Sequence, residues 1–354
     1  MTRTTCIRVM FAAVATAAVA AAAAAPASRA ATAPALGLRS PARVPSAVLT
    51  PAGARLLARA SWNGGAYATA AGSVTVYVSP SYSDPDGVGR RWAAFFASLV
   101  HGSELALLRA YVAPIGEVRA LCESSDVLGC YGGGRLVMPG EAADGVAAEE
   151  IGEHEYGHHV AANRVNRPWA ASDWGTKRWA SSVGVCARAA AGTAFPGDEG
   201  GFYPLNPGEA FAESYRVLND LHRGAHSFDW PIVDPSFRPT SADLAALEED
   251  VVHPWERPTT TVVRSAFRRG GPGVSTLPLT TPLDGDLTVT LRLPLGAADD
   301  VALLDAGGHA VATGLWSGSG RKTLQAKICG VRSFSVRVVR RGAAGRFTLV
   351  VTRP

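Results

Sequence analysis

Two histidines four residues apart, His154 and His158, with Glu155 directly after the first, constrain this 354-residue chain more than any other feature. At about 3.6 residues per turn, positions i and i+4 lie on one face of a helix. The spacing asks for a helix that turns two imidazoles toward one point. Glu155 then projects about 100° round the axis, close enough to act on whatever the imidazoles hold. A second stretch, Asn206-Pro-Gly-Glu209-Ala-Phe-Ala-Glu213, reads as another helix. Pro207 stands at its first position, and Glu209 and Glu213 share a face.

Two histidines at this spacing can grip one zinc ion (Zn2+) and leave positions for a third ligand and a water. A neighbouring Glu can take a proton from that water. The bland alternative is a pair of surface histidines, and Glu155 with the acidic helix downstream argues against it. Glu209 has a competing role. In Asn206-x-x-Glu209 it can close a capping box and satisfy a backbone N–H. In that case the third ligand would come from Glu213, Asp173, Asp198 or Glu199. His159 points away from His158 and reads as packed or solvated, and His222 and His226 as surface residues. Tryptophans are more often core than cleft lining.

The chain divides by composition. Residues 1–30 have a basic start at Arg3 and Arg8, an alanine-rich apolar run over 9–25, and small residues after it. This is the pattern of a secretory signal peptide, with a short membrane anchor as the competing reading. Residues 31–60 are Ala, Pro and Arg without an acid, and read as a disordered linker or short pro-segment. Charge separates the rest. Residues 61–256 carry a net −12 and residues 257–354 a net +9, which places a domain boundary near Arg257 and suggests different partners. Cys6 leaves with the signal. The four remaining cysteines, Cys122, Cys130, Cys186 and Cys329, suit disulfides in an oxidising compartment. Cys122 with Cys130 is the expected pair across a short polar turn, leaving Cys186 with Cys329.

Within residues 61–256, a strand is expected over 73–79 and a helix over 89–111. A short strand is expected over 134–138, and then the histidine helix, capped by Asp144 and running to about Arg164. Residues 165–205 read as loop-rich. Helices are expected over 206–222 and 241–252. Beyond residue 257 the pattern is all β. Leu287, Val289, Leu291 and Leu293 alternate with polar residues, as do Phe334, Val336 and Val338, and Phe347, Leu349 and Val351. Seven or eight short strands in under 100 residues imply a β-sandwich or jelly roll.

With both motifs in view, residues 73–225 resemble the zincin metallopeptidases of the gluzincin branch. There the third ligand is a Glu on a helix after H-E-x-x-H. Glu209-Ala-Phe211-Ala-Glu213, 51 residues beyond His158, is similar to the E-x-F-A-E segment of anthrax-lethal-factor-like peptidases more than to the thermolysin-like pattern. The resemblance implies an α+β zincin-like catalytic domain. It also implies zinc held by His154, His158 and Glu209, with Glu155 as general base and Glu213 behind a histidine. It further implies an edge strand around Leu136 that receives an extended substrate, and an oxyanion donor for which Tyr203 is the candidate. Glu153 departs from the neutral residue usual before the first His. The metzincin pattern fails at Ala161 and Arg164, and the aspzincin G-T-x-D pattern at Arg178, after Gly175-Thr176-Lys177. The last domain looks like the β-sandwich modules appended to secreted bacterial peptidases.

The expected function is a secreted zinc endopeptidase acting on peptide or protein substrates as a monomer, without nucleic acid or stable membrane insertion. The basic last domain could hold an anionic wall polymer or polysaccharide. The alternative is a surface-binding protein with a degenerate peptidase domain.

Overall fold

The computed structural model describes residues 46–315 and 320–354. The signal peptide expected at 1–30, and residues 31–45 of the expected linker, lie outside the described residues. The rest of that linker is ordered into the fold, contrary to expectation. Thr50 caps a helix, α1 (Pro51–Arg59), by accepting from Gly53 N at 3.0 Å, and Pro51 starts it. Leu49 and Leu57 drop into an apolar cluster with Val118, Cys122, Val127, Cys130 and Val137. The Ala/Pro/Arg composition hid these two leucines.

After α1 come β1 (Asn63–Thr69), β2 (Gly72–Val78), α2 (Pro85–Ser98), β3 (Arg109–Ala113), α3 (Ile115–Leu121), β4 (Cys130–Gly132) and β5 (Arg135–Pro139). The helix expected over 89–111 begins earlier, where Asp84 accepts from Gly87 N, and ends at Ser98. Residues 109–113 are strand instead, since Ala110 and Val112 alternate inward and are fully buried. The five strands form one sheet in the order β1-β2-β3-β5-β4, parallel between β2, β3 and β5 and antiparallel at both ends. The strand around Leu136 is therefore interior. The edge is β4, tied back to α3 by the Cys122–Cys130 disulfide.

Next come α4 (Ala148–Ala162), α5 (Ala171–Trp174), α6 (Lys177–Val183), α7 (Val185–Ala190), α8 (Pro207–His222) and α9 (Ser241–Val252). Three short helices thus occupy the stretch expected as loop. Asp144 does not cap α4. It sits at φ 52° in a turn ahead of Gly145, bonding Arg119 Nη2 at 2.8 Å, and the helix starts after Ala147. Glu149 and Glu150 lie in its first turn, where the helix dipole favours them.

The remaining strands are β6 (Thr259–Ala266), β7 (Val274–Thr280), β8 (Gly285–Arg292), β9 (Asp299–Asp305), β10 (Ala310–Gly314), β11 (Arg321–Ile328), β12 (Ser333–Arg340) and β13 (Arg346–Arg353). They form two four-stranded antiparallel sheets, β10-β9-β12-β7 and β11-β8-β13-β6. Their inner faces share one core that includes Leu287, Val289, Leu291, Phe334, Val336, Val338, Phe347, Leu349 and Val351. Period-two alternation made this β-sandwich legible, and the chain as a whole is α+β with a β-sandwich part.

The sandwich is fastened to the helices. Cys186 of α7 is bonded to Cys329. Arg332 pairs with Asp284 at 2.7 Å and donates to Ser181 O at 2.7 Å, while Asp284 N donates to Ser181 Oγ at 2.9 Å. Buried Lys177 donates to Arg167 O and lies 4.8 Å from the Trp255 ring. Burial lowers its pKa to about 8. Among the described residues no helix is long and apolar enough to cross a membrane.

Candidate metal centre

α4 lies between the five-stranded sheet and α8, and two glycines set its distance from each. A Cβ at Gly152 would stand 3.1 Å from Met138 of β5. One at Gly157 would stand 2.7 Å from the Ala212 Cα of α8. Backbones can approach this closely only where no side chain intervenes. The close approach brings the carboxylates of α8 onto the histidines of α4.

His154 Nε2 is 3.2 Å from Glu209 Oε2, and His158 Nε2 is 3.4 Å from Glu209 Oε1. The two rings stand 5.0 Å apart at 73°. One donor atom each from His154, His158 and Glu209 lies within 4.8 Å of the others. A tetrahedral zinc with bonds of about 2.0–2.1 Å needs donors roughly 3.3 Å apart, and each histidine nitrogen stands at about that distance from one of the two Glu209 oxygens. His158 Nε2 is buried and, among the described residues, makes no hydrogen bond of ordinary geometry. A nitrogen left so is costly unless something else takes its lone pair.

The opposite side of the His154 ring is held too. Its Nδ1 lies 3.2 Å from Glu213 Oε2. Glu213 Oε1 accepts from Arg216 Nε at 3.1 Å and Nη2 at 2.7 Å. Arg216 also pairs with Asp220 at 2.6 Å. A carboxylate behind a ligating histidine fixes its ring orientation and tautomer. Glu209 is not a capping-box residue, because Asn206 caps α8 by accepting from Gly208 N at 3.0 Å and Glu209 turns inward. Tyr203 OH donates to Glu209 Oε2 at 2.6 Å and is buried, so the structure places it against that carboxylate rather than in the open cleft.

Charge inside this site is strongly coupled. Burial favours a neutral His154, but its bonds to Glu209 and Glu213 outweigh that and raise its pKa to about 10. His158 is raised by Glu209 against the same burial. Against burial, His158 and His154 push Glu209 well below the usual carboxylate range, and His154 and Arg216 lower Glu213. Burial pushes Glu155 up to about 7, with His158 and His154 pulling it back. Its carboxylate is fully buried and makes no hydrogen bond of ordinary geometry among the described residues, while the Ser46 hydroxyl interacts with it more weakly.

Asp173 and Glu199 line the cleft near His158, but neither belongs to the donor cluster. His159 is packed. Its Nε2 donates to Glu104 O at 2.8 Å and its Nδ1 accepts from Tyr131 OH at 3.1 Å. Glu153 is buried and paired with Arg223, which accounts for a charge before the first histidine. His222 is exposed. Trp92 and Trp179 are core residues, and Trp169 stacks on Trp174 at 4.6 Å. The roles of Arg216 and Ser46 were not foreseen. Arg216 follows Glu213 by three residues on one helical face, a spacing that could have revealed it. Nothing local marks Ser46.

No protein-family model and no curated protein matches the chain. Among solved structures it is similar to a Yersinia pseudotuberculosis mitogen, at 17% identity over 27% of this chain and 87% of that one, with a TM-score of 0.21. It is also similar to the pre-peptidase C-terminal domain of a Bacillus anthracis collagenase, at 14% identity over 26% and 88%, TM-score 0.21. A third is the Aeromonas hydrophila periplasmic inhibitor of g-type lysozyme, at 14% identity over 27% and 84%, TM-score 0.19. At such TM-scores these likenesses carry no argument about fold or function.

Proposed function

We propose that this chain is a zinc-dependent endopeptidase of the zincin kind, working outside the cytoplasm. The observation that carries the reading is the convergence of His154, His158 and Glu209 on one point, with the buried Glu155 next to His154 on the same helix. His154 and His158 from α4 and Glu209 from α8 would hold the metal. Zinc in such a site polarises a peptide carbonyl and makes water acidic enough to lose a proton near neutrality. Glu155 accepts that proton on its carboxylate and returns it to the departing amine nitrogen. Glu213 holds His154 Nδ1, and Arg216 holds Glu213. Tyr203 fixes Glu209 through its hydroxyl, and an oxyanion role would require that hydroxyl to leave Glu209. The sheet edge that would take an extended substrate backbone is β4, where N–H and C=O groups give affinity without reading sequence. Two disulfides support an oxidising compartment.

Casein hydrolysis decides the matter. The protein should cleave casein, lose activity to a chelator and regain it with zinc. An inert protein that still binds one zinc would leave the surface-binding alternative. The sandwich, with a net +9, would dock an anionic wall polymer. Pull-down on cell walls should then weaken sharply between low and high salt, and salt-indifferent or absent binding would remove that partner.

A further inference from the structure

The edge strand beside the cluster already has a neighbour. Val48 pairs with Tyr131 of β4 in parallel. Leu49 N donates to Tyr131 O at 2.9 Å, and Tyr131 N donates to Ala47 O at 3.1 Å. The approach is close, since a Cβ at Gly132 would stand 2.8 Å from Leu49 O. Ser46, Ala47 and Val48 line the same cleft as His158 and Glu209. Ser46 is 1% exposed. Leu49 is different, because its side chain is anchored in the apolar cluster under α1. The fold holds the chain from Leu49 onward, whereas 46–48 lie in the cleft with only Ser46 fully buried.

An extended peptide binds a sheet edge through that edge's backbone N–H and C=O groups. On β4 those of Tyr131 are already taken. We propose that residues 46–48 are a built-in occupant of the substrate-binding edge, so that the full chain is self-blocked until they are displaced. This rests on the peptidase reading above. A strand tethered through Leu49 is present at an effective concentration of about millimolar, so substrate well below that concentration meets a competitor already at the edge.

The test replaces residues 45–48 in the full chain with the recognition sequence of a site-specific protease that cuts immediately before Leu49; the pairing with Tyr131 runs through backbone atoms, so the edge stays occupied until the cut removes the tether. Zinc content, circular dichroism and casein hydrolysis are then measured before and after cutting. Hydrolysis should rise at least about tenfold on cutting, and a free peptide with the sequence of residues 43–50 at ~1 mM should lower it again. Independently, Ser46→Trp in the otherwise unaltered chain should raise the rate, because indole does not fit the space that a buried serine fills. Equal rates before and after cutting, with zinc bound, would overturn the inference and leave the peptidase reading intact. No hydrolysis in either state, with zinc bound, would remove the peptidase reading and this inference with it. If cutting unfolds the chain, Ser46→Trp decides: an unchanged rate shows that the segment is structural and the inference fails.

Discussion

The β-sandwich and the α4–α8 pair bury their residues by opposite means. The sandwich core cluster is apolar, built mainly from alternating Leu, Val and Phe on two inner faces, with Thr290, Asp299 and Lys322 the buried polar residues of its strands. α8, by contrast, buries Glu209, Glu213, Arg216 and Asn219 along with Phe211 and Tyr215. Apolar burial is nondirectional, so a sandwich position accepts substitutes of similar volume at modest cost. A buried ionic network stabilises little for its size and is costly to break, because each member left alone is an uncompensated charge. The contrast indicates where specificity of geometry was needed. The helical pair holds particular atoms at particular separations, and the sandwich only has to be filled.

Substitutions can break this contrast. The largest effect should come from Glu155→Gln. Hydrolysis should fall by about 100- to 10,000-fold or more, the usual share of a general base, while zinc stays near one per chain. Retention of more than a tenth of the activity would show that the proton goes elsewhere. Next, Glu209→Ala should be isolated largely metal-free and inactive. Glu213→Ala should keep zinc supplied in excess, with affinity lowered ~10–100-fold. Glu213→Gln separates loss of the histidine contact from exposure of Arg216's charge. Full zinc occupancy in Glu209→Ala after dialysis would send the search for the third ligand elsewhere.

A smaller effect is expected from pH. The raised His154 pKa, about 10, means that the imidazole carries a proton at neutrality when it faces Glu209 and Glu213 alone. Zinc takes neutral imidazole, so binding must expel that proton. Affinity should therefore tighten as pH rises, by about tenfold per unit for one proton released, between pH 6 and 8. The linkage of His154 to folding has the opposite sign. Its stabilisation of the metal-free chain is complete below the ordinary histidine range and is lost as pH rises toward 10. Competition titration with a zinc indicator at three pH values checks the first, and a pH-independent affinity would show that binding expels no proton and that His154 is already neutral in the metal-free site.

The smallest effect on the site should come from the other region. Leu291→Ala removes a fully buried sandwich side chain and should cost about 2–5 kcal/mol of stability. Zinc affinity measured below the melting range should not move. A shift there would mean that the two regions are not separate in function, whatever their covalent link.

The two regions also differed in how far the sequence could be read. The sandwich was legible from Leu287, Val289 and Leu291, since period-two alternation reports burial directly. On the helical side, His154, Glu155, His158, Glu209 and Glu213 were legible because helical spacing fixes which residues share a face. The direction in which Glu209 turns was not. Capping and ligation use the same residue at the same position, and only the Asn206 side chain, which caps α8 alone, separates them. Leu136 and Tyr131 could not be ranked as interior and edge, because strand order depends on contacts between distant segments. The ordering of residues 46–60 was missed for the same reason, since Leu49 and Leu57 look isolated until Val118, Cys130 and Val137 surround them.

The Cys186–Cys329 bond spans 143 residues, and that stretch contains α8, α9 and the passage between the helices and the sandwich. Exposed connections between domains are where proteolytic nicks fall. In this chain a single nick anywhere from residue 187 to 328 yields two fragments that remain one molecule. The sandwich cannot be shed by clipping its connection alone. A nicked sample should run as a single band on a denaturing gel and separate into two only after a reductant is added. Release from any anchor that the sandwich provides would thus require cleavage and reduction together.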